Sequence, residues 1–367
     1  MALKLLIVTN QPAPYRVDFF FYLQQEVQDY EIHILFQSEN KYTSRQWEGG
    51  EEKLSNVHFL KSKIITKRGD DIQDKMLPRG VGKAISGIGP DVVVCHEYNA
   101  AALLTLLWCR RHHVPYISWT DGTRHSERNI RTYQKWCRSF VVKRAAAFIA
   151  ASSKARENQI YLGANPDKCF LSILSIDRSP YEVICRKERS GKKLLTVGSL
   201  IKRKGNDLLI AALARILDME WELEIVGEGP EKEGLLKEAE KLGFKDRLRL
   251  LGYLSGQELV DIYSSADIFI LPTREDCFGL VTLEAMCCGL PVISSKYADS
   301  AYDLIEEGSN GLIVDPFNPE EMAAALRSLL SDREKMLSYG AASRMRARNF
   351  SFSNTYTGFM EAVRSVR

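Results

Sequence analysis

The feature that most constrains this chain is a rhythm. Short apolar runs rich in β-branched residues alternate with longer stretches of helical periodicity, twice over. The first set of runs covers residues 5–8, 32–36, 57–60, 92–95, 116–119 and 148–150, and the second covers 194–197, 223–226, 248–251, 268–271, 292–294 and 311–314. Runs of this length separated by helical patterns are the signature of βαβ units and a parallel sheet, whose strands are buried on both faces and therefore lack polar alternation. A chain of 367 residues is long enough for two such cores. The expectation is an α/β protein of two Rossmann-like domains with parallel sheets, 1–184 and 194–350. They would be joined by the aperiodic polar stretch 185–193 and followed by a helix over 351–367 that returns to the first domain.

No run approaches the roughly 20 apolar residues of a membrane span. The apolar opening at residues 3–9 is too short for a signal segment, so a cytoplasmic location is expected. Eight cysteines are scattered without CxxC pairs or Cys/His ligand spacing, which suggests neither a zinc site nor a disulfide framework. The net charge of +3 conceals an asymmetry: residues 1–190 hold 28 Lys+Arg against 20 Asp+Glu, whereas 191–367 hold 22 against 27. The basic half would suit anionic lipid headgroups or an anionic acceptor, with solvated charge as the plain alternative. Nothing in this pattern calls for a nucleic-acid partner.

Ligands of open α/β sheets bind beyond the carboxyl ends of the strands, so the residues after each run are the candidates. The segment TREDCFGLVTLEAMCCGLPVI, residues 273–293, leaves a strand and enters a helix near Gly279. The N–H groups at such a helix start suit a diphosphate, and the flanking acids Asp276 and Glu284 can accept hydrogen bonds from sugar and ribose hydroxyls. Phe278, Gly279, Leu280 and Val281 supply the backbone of that turn. The plain reading is an ordinary strand–turn–helix with exposed acids.

This string resembles the signature of the retaining glycosyltransferases of family 4 (glycosyltransferase group 1, GT-B fold): an acid, seven residues and a Glu around an FGL turn. The resemblance runs over nearly the whole chain, from VTNQPAPYR to the closing helix. Here the first acid is Asp276, with Glu275 just before it, where the family has Glu. The resemblance implies a nucleotide diphosphate sugar as donor, a UDP-sugar ahead of a GDP-sugar, an acceptor hydroxyl on a glycan, lipid or small molecule, and no cofactor or divalent metal. It also implies two domains that face each other.

In the loop VGSLIKRKGNDLLIAAL, residues 197–213, Lys204 precedes a Gly at a helix start, where a cation can stabilise the departing diphosphate. The resemblance places an Arg at position 199, which is Ser199 here, so Lys202 and Arg203 are the candidates to supply that charge. In the first half His96 follows a strand in VCHEYNAAALL, and the resemblance makes it the histidine that faces the donor sugar. Asp121 and His125 in SWTDGTRHSE are its rivals, ranked in that order. Tyr15 and Arg16 in TNQPAPYR, with His125, would line the acceptor side, where Tyr15 and Arg16 would contact donor or acceptor. Gly227, Tyr253 and Leu254 would lie beside the nucleobase, and these residues do not separate uracil from guanine.

Between residues 61 and 144 stand 16 Lys+Arg and 7 Asp+Glu, interleaved with aromatics. Tyr133, Trp136, Phe140 and Val141 are spaced for one face of a helix over 129–147. That face suits either a core or a peripheral contact with an anionic membrane at its inner side. No GxGxxG fingerprint supports a dinucleotide oxidoreductase and no Asp-x-Asp triplet supports a metal-bound donor. A nucleotide-sugar epimerase of the same fold, or a non-catalytic nucleotide-sugar-binding subunit, remains as the alternative.

Overall fold

The structure, a computed structural model, describes residues 2–42, 50–67, 69, 73–182 and 192–367. Of the stretch expected as a linker, 185–191 lies outside the described residues, and Lys193 begins a strand. The chain divides into two compact units, residues 1–176 with 352–367 and residues 177–351. The short helix Ser179–Glu182 thus packs with the second unit.

The first unit holds β1 (Leu3–Thr9), β2 (Tyr30–Phe36), β3 (Val57–Phe59), β4 (Lys61–Lys67), β5 (Gln73–Arg79), β6 (Val92–His96), β7 (Tyr116–Thr120), β8 (Ala147–Ala150) and β9 (Cys169–Leu171). The second holds β10 (Lys193–Val197), β11 (Glu222–Val226), β12 (Leu248–Gly252), β13 (Ile268–Leu271), β14 (Val292–Ser295) and β15 (Gly311–Val314). The sheets run β3-β2-β1-β6-β7-β8-β9 and β12-β11-β10-β13-β14-β15, every neighbour parallel. Each sheet therefore reverses its strand order once, between β1 and β6 and between β10 and β13. In doubly wound sheets the crevice beyond the carboxyl ends at such a reversal is where ligands sit.

All twelve apolar runs are strands. The antiparallel hairpin β4–β5 and the three-residue β9 were not legible, because Lys61–Lys67 alternates on an exposed ribbon and Cys169–Leu171 is too short to show a period.

Burial on two faces explains the unbroken apolar runs. Along β1, Leu5 and Ile7 enter one core with Val17, Phe20 and Phe359, while Leu6 and Val8 enter another with Ile85 and Leu106. Each such side chain contributes about 1.5–3 kcal/mol on burial. The second unit's core gathers Leu194, Leu209, Leu223, Ile225, Ile268 and Ile293.

The closing helix, Phe352–Arg364, completes the first unit's core. Phe359 lies edge-on to Trp119 at 5.7 Å, Ser172 Oγ donates to the Thr355 carbonyl at 2.8 Å, and Thr355 Oγ1 donates to the Ile173 carbonyl at 2.6 Å. The helix can come this close because Gly358 has no side chain: a Cβ there would lie 1.7 Å from the Leu171 carbonyl oxygen. Gly358→Ala is therefore expected to push the helix off β9 and cost about 1–3 kcal/mol, the usual penalty of overpacking. A urea midpoint lowered accordingly checks this, and an unchanged midpoint would show that the helix does not depend on that contact.

Candidate functional site

The candidates fall into one set in each unit, all at or beyond the carboxyl ends of strands, with His96, Lys204 and Asp276 at strands that flank a reversal.

In the second unit the loop after β10 and the loop after β13 are locked together by backbone. Gly205 sits at φ +72°, and a Cβ there would lie 2.0 Å from the Pro272 carbonyl oxygen, so no other residue fits. Thr273 Oγ1 and the Arg274 N–H both donate to the Arg203 carbonyl, at 2.9 and 2.8 Å. This apposition sets the Lys204 ammonium against the Asp276 carboxylate in a largely buried ion pair. Burial alone would raise the Asp276 carboxyl, but Lys204, with Arg203 nearby, holds it below the usual aspartate range. The Phe278 N–H approaches Asp276 Oδ1 at 3.4 Å, the Phe278 carbonyl accepts from Ser300 Oγ, and Gly279 at φ +72° opens the helix Leu280–Cys287.

Glu284, four residues into that helix, accepts from the Tyr263 hydroxyl at 2.7 Å. Burial raises its carboxyl above the ordinary range despite this bond and a second from Tyr181. Tyr263 is fully buried, and its role was not legible because it lies 21 residues away on the helix Gly256–Ser265.

Of the two residues expected to replace the missing arginine, Lys202 stands half-exposed between two carboxylates. Its ammonium pairs with Asp207 and Glu231, each at 3.1 Å. Arg203 donates to the Glu275 carbonyl at 3.0 Å and adds positive potential at Asp276. Ser199 is exposed. The Gly227 N–H donates to the Gly252 carbonyl at 2.7 Å, which brings the loops after β11 and β12 together. Beyond them Tyr253 is 71% exposed and Leu254 half-buried.

In the first unit His96, the last residue of β6, is 1% exposed and lies edge-on to Trp119 at 5.1 Å. Arg16 turns inward from the helix Pro14–Glu26 and is 6% exposed, so its guanidinium belongs to this cluster. It bonds Thr9 Oγ1 at 3.1 Å, Tyr15 Oη at 3.0 Å and His96 Nε2 at 2.7 Å, and reaches Asp121 Oδ2 at 3.7 Å. Its face covers the Trp119 ring at 5.1 Å. Glu97, next to His96, adopts a left-handed backbone at φ +67°, uncommon for a residue with a side chain. Burial, with Asp121 beside it, raises the Glu97 carboxyl. His125 lies in the turn beyond Asp121, part-buried, its carbonyl accepting from the Arg128 N–H at 3.3 Å.

His96, Glu97 and Asp121 each bring one potential metal-ligand atom within 4.8 Å of the others. The Arg16 guanidinium already lies against two of the three, so the acidic charge here has a resident cation and a divalent ion would be opposed by it.

Residues 21–171 match the family model described as Glycosyltransferase Family 4, and residues 182–346 match that described as Glycosyl transferases group 1. An uncharacterized glycosyltransferase of Methanocaldococcus jannaschii is 27% identical over 298 residues, which is 76% of this chain and 74% of that protein. The D-inositol 3-phosphate glycosyltransferase of Corynebacterium urealyticum is 33% identical over 186 residues, 48% of this chain and 44% of the relative. Thus the chain spans about three quarters of the first relative and under half of the second. Among solved structures, Anabaena HepE in complex with UDP superposes with a TM-score of 0.79 over the full length of both chains at 17% identity, a likeness that shows the fold. With both of its units matched in this way, the chain belongs to the family 4, group 1 glycosyltransferases and has their GT-B fold.

Proposed function

We propose that this protein transfers a sugar from a nucleotide diphosphate, a UDP-sugar ahead of a GDP-sugar, to an acceptor hydroxyl, with retention of anomeric configuration and without a divalent metal. The observation that carries the reading is the buried pair of Lys204 and Asp276 beside the turn that opens Leu280–Cys287. An ammonium and a helix start on one loop pair form an anion site. Lys204 would leave Asp276 for the diphosphate, releasing the carboxylate to a hydroxyl of the donor sugar. Stabilising charge as it develops on the leaving group is what a metal does in other transferases. Glu284, aimed by Tyr263, takes the ribose in this reading. HepE, which shares the fold, has been solved with UDP and with UDP-glucose.

The acceptor belongs to the first unit in this proposal, and its surface favours a lipid-linked one. On the helix Thr132–Val142, Tyr133 is 53% and Trp136 59% exposed, while Phe140 is half-buried and Val141 buried. Arg131 and Lys135 flank the exposed aromatics, and Arg144 lies over Phe140 at 3.9 Å. Amphipathic rings among cations fit the headgroup region of an anionic membrane. Among the described residues no helix is long and apolar enough to cross a membrane.

A panel of nucleotide sugars, read by release of free nucleotide in the presence of EDTA, tests the donor and the metal independence together. Turnover with at least one diphosphate donor is expected, and Lys204→Ala should lower kcat by about 100-fold or more while leaving the fold intact. Interconversion of sugars without transfer would make the protein an epimerase, and binding without turnover a nucleotide-sugar-binding subunit. Sedimentation with anionic vesicles should fall severalfold in a Tyr133→Ser, Trp136→Ser double variant, and an unchanged bound fraction would end the membrane reading. Stereochemistry follows from the NMR spectrum of the first-formed product: an α-linked donor is expected to give an α-linked product, and a β-linked product would overturn the retaining assignment.

A further inference from the structure

We infer that Arg16 is a positioning residue that fixes His96 as a neutral imidazole with its proton on Nδ1, so that His96 serves the reaction as a hydrogen-bond donor and never as its base. The inference rests on the proposed function, with His96 as the histidine expected to meet the donor sugar, and on geometry and burial for its protonation state.

A guanidinium carries only donors and stays charged at any pH a protein survives. The Arg16 Nη2 group lies 2.7 Å from His96 Nε2, so that nitrogen has to offer its lone pair. A neutral imidazole holds one proton, and with Nε2 accepting, the proton is on Nδ1. A second proton would place an N–H against an N–H and a cation against a cation. Burial acts in the same direction, and together with Arg16 it pushes the imidazole well below its ordinary pKa.

The remaining neighbours are consistent with this state. Arg16 is held in place by Thr9 at the end of β1, by Tyr15 on its own helix and by Asp121 beyond β7, and Trp119 packs against both Arg16 and His96. Two carboxylates face the pair. Asp121 lies on the Arg16 side, and Glu97 Oε1 stands 3.8 Å from His96 Nδ1, too far for a direct bond. Nδ1 is buried and has no hydrogen-bond partner among the described residues. A hydroxyl arriving with substrate can satisfy this unmet donor.

In protein labelled with 15N-histidine, two-bond proton–nitrogen correlation reads the tautomer directly, and a His96→Gln spectrum identifies the signal among the six histidines. His96 is expected to show the Nδ1–H pattern, unchanged from about pH 5.5 to 8.5, the range that spans an ordinary histidine's titration. Arg16→Met should let His96 titrate and populate the Nε2–H form, with kcat lowered about tenfold or more. Arg16→Lys, which keeps a cationic donor, should restore the Nδ1–H pattern and part of the rate. A wild-type His96 that carries its proton on Nε2 or titrates near 6.5 overturns the inference. So does an Arg16→Met protein that loses activity while His96 keeps its tautomer and its indifference to pH. Should Arg16→Met fail to fold, the wild-type and Arg16→Lys spectra decide. If no donor is turned over by the wild type, the functional reading falls and the spectra still judge the tautomer.

Discussion

The second unit's candidate site depends on how closely two loops approach at the carboxyl ends of β10 and β13. Gly205 rests its α-carbon against the Pro272 carbonyl, where a methyl group would stand 2.0 Å from that oxygen. The contact is possible because β10 and β13 are neighbours at the one place where the sheet reverses its strand order. Once the loops meet, Thr273 and Arg274 close them with bonds to the Arg203 carbonyl, and Lys204 pairs with Asp276. A buried ammonium and carboxylate each forfeit several kcal/mol of hydration, and their attraction in a low dielectric offsets it. In the proposed function a diphosphate would take the carboxylate's place against the ammonium and offer it the same compensation.

The first unit solves the same electrostatic problem with a different cation. Arg16 is taken almost wholly out of water, which is tolerable because its donors meet Thr9, Tyr15 and His96, its charge faces Asp121, and its flat face covers Trp119. Glu97 is left in a strained backbone conformation with a carboxyl raised by its surroundings. Strain and shifted ionisation at one strand end are features that gather at functional sites rather than in structural cores.

Much of the fold was legible because it depends on near neighbours in the chain. Twelve apolar runs became twelve parallel strands, and the closing helix packs with the first unit. The hairpin β4–β5 was missed because an exposed ribbon buries no face and so imposes no apolar pattern. The candidate site was legible only as a list of loops. That Lys202 stands between Asp207 and Glu231, and that Arg16 is enclosed with His96, was not in the spacing.

Local spacing set the period of each segment, the loops that follow the strands, and the placing of Asp276 three residues before Gly279 and of Glu284 five after it, since these depend on near neighbours in the chain. Tertiary structure decided which of those side chains meet. Arg16 reaches His96 across 80 positions, Lys204 reaches Asp276 across 72, and Tyr263 reaches Glu284 across 21. No local propensity encodes such pairs, because they arise from strand order and from the few backbone points, such as Gly205 on Pro272 and Gly358 on Leu171, where only a missing side chain lets two segments touch.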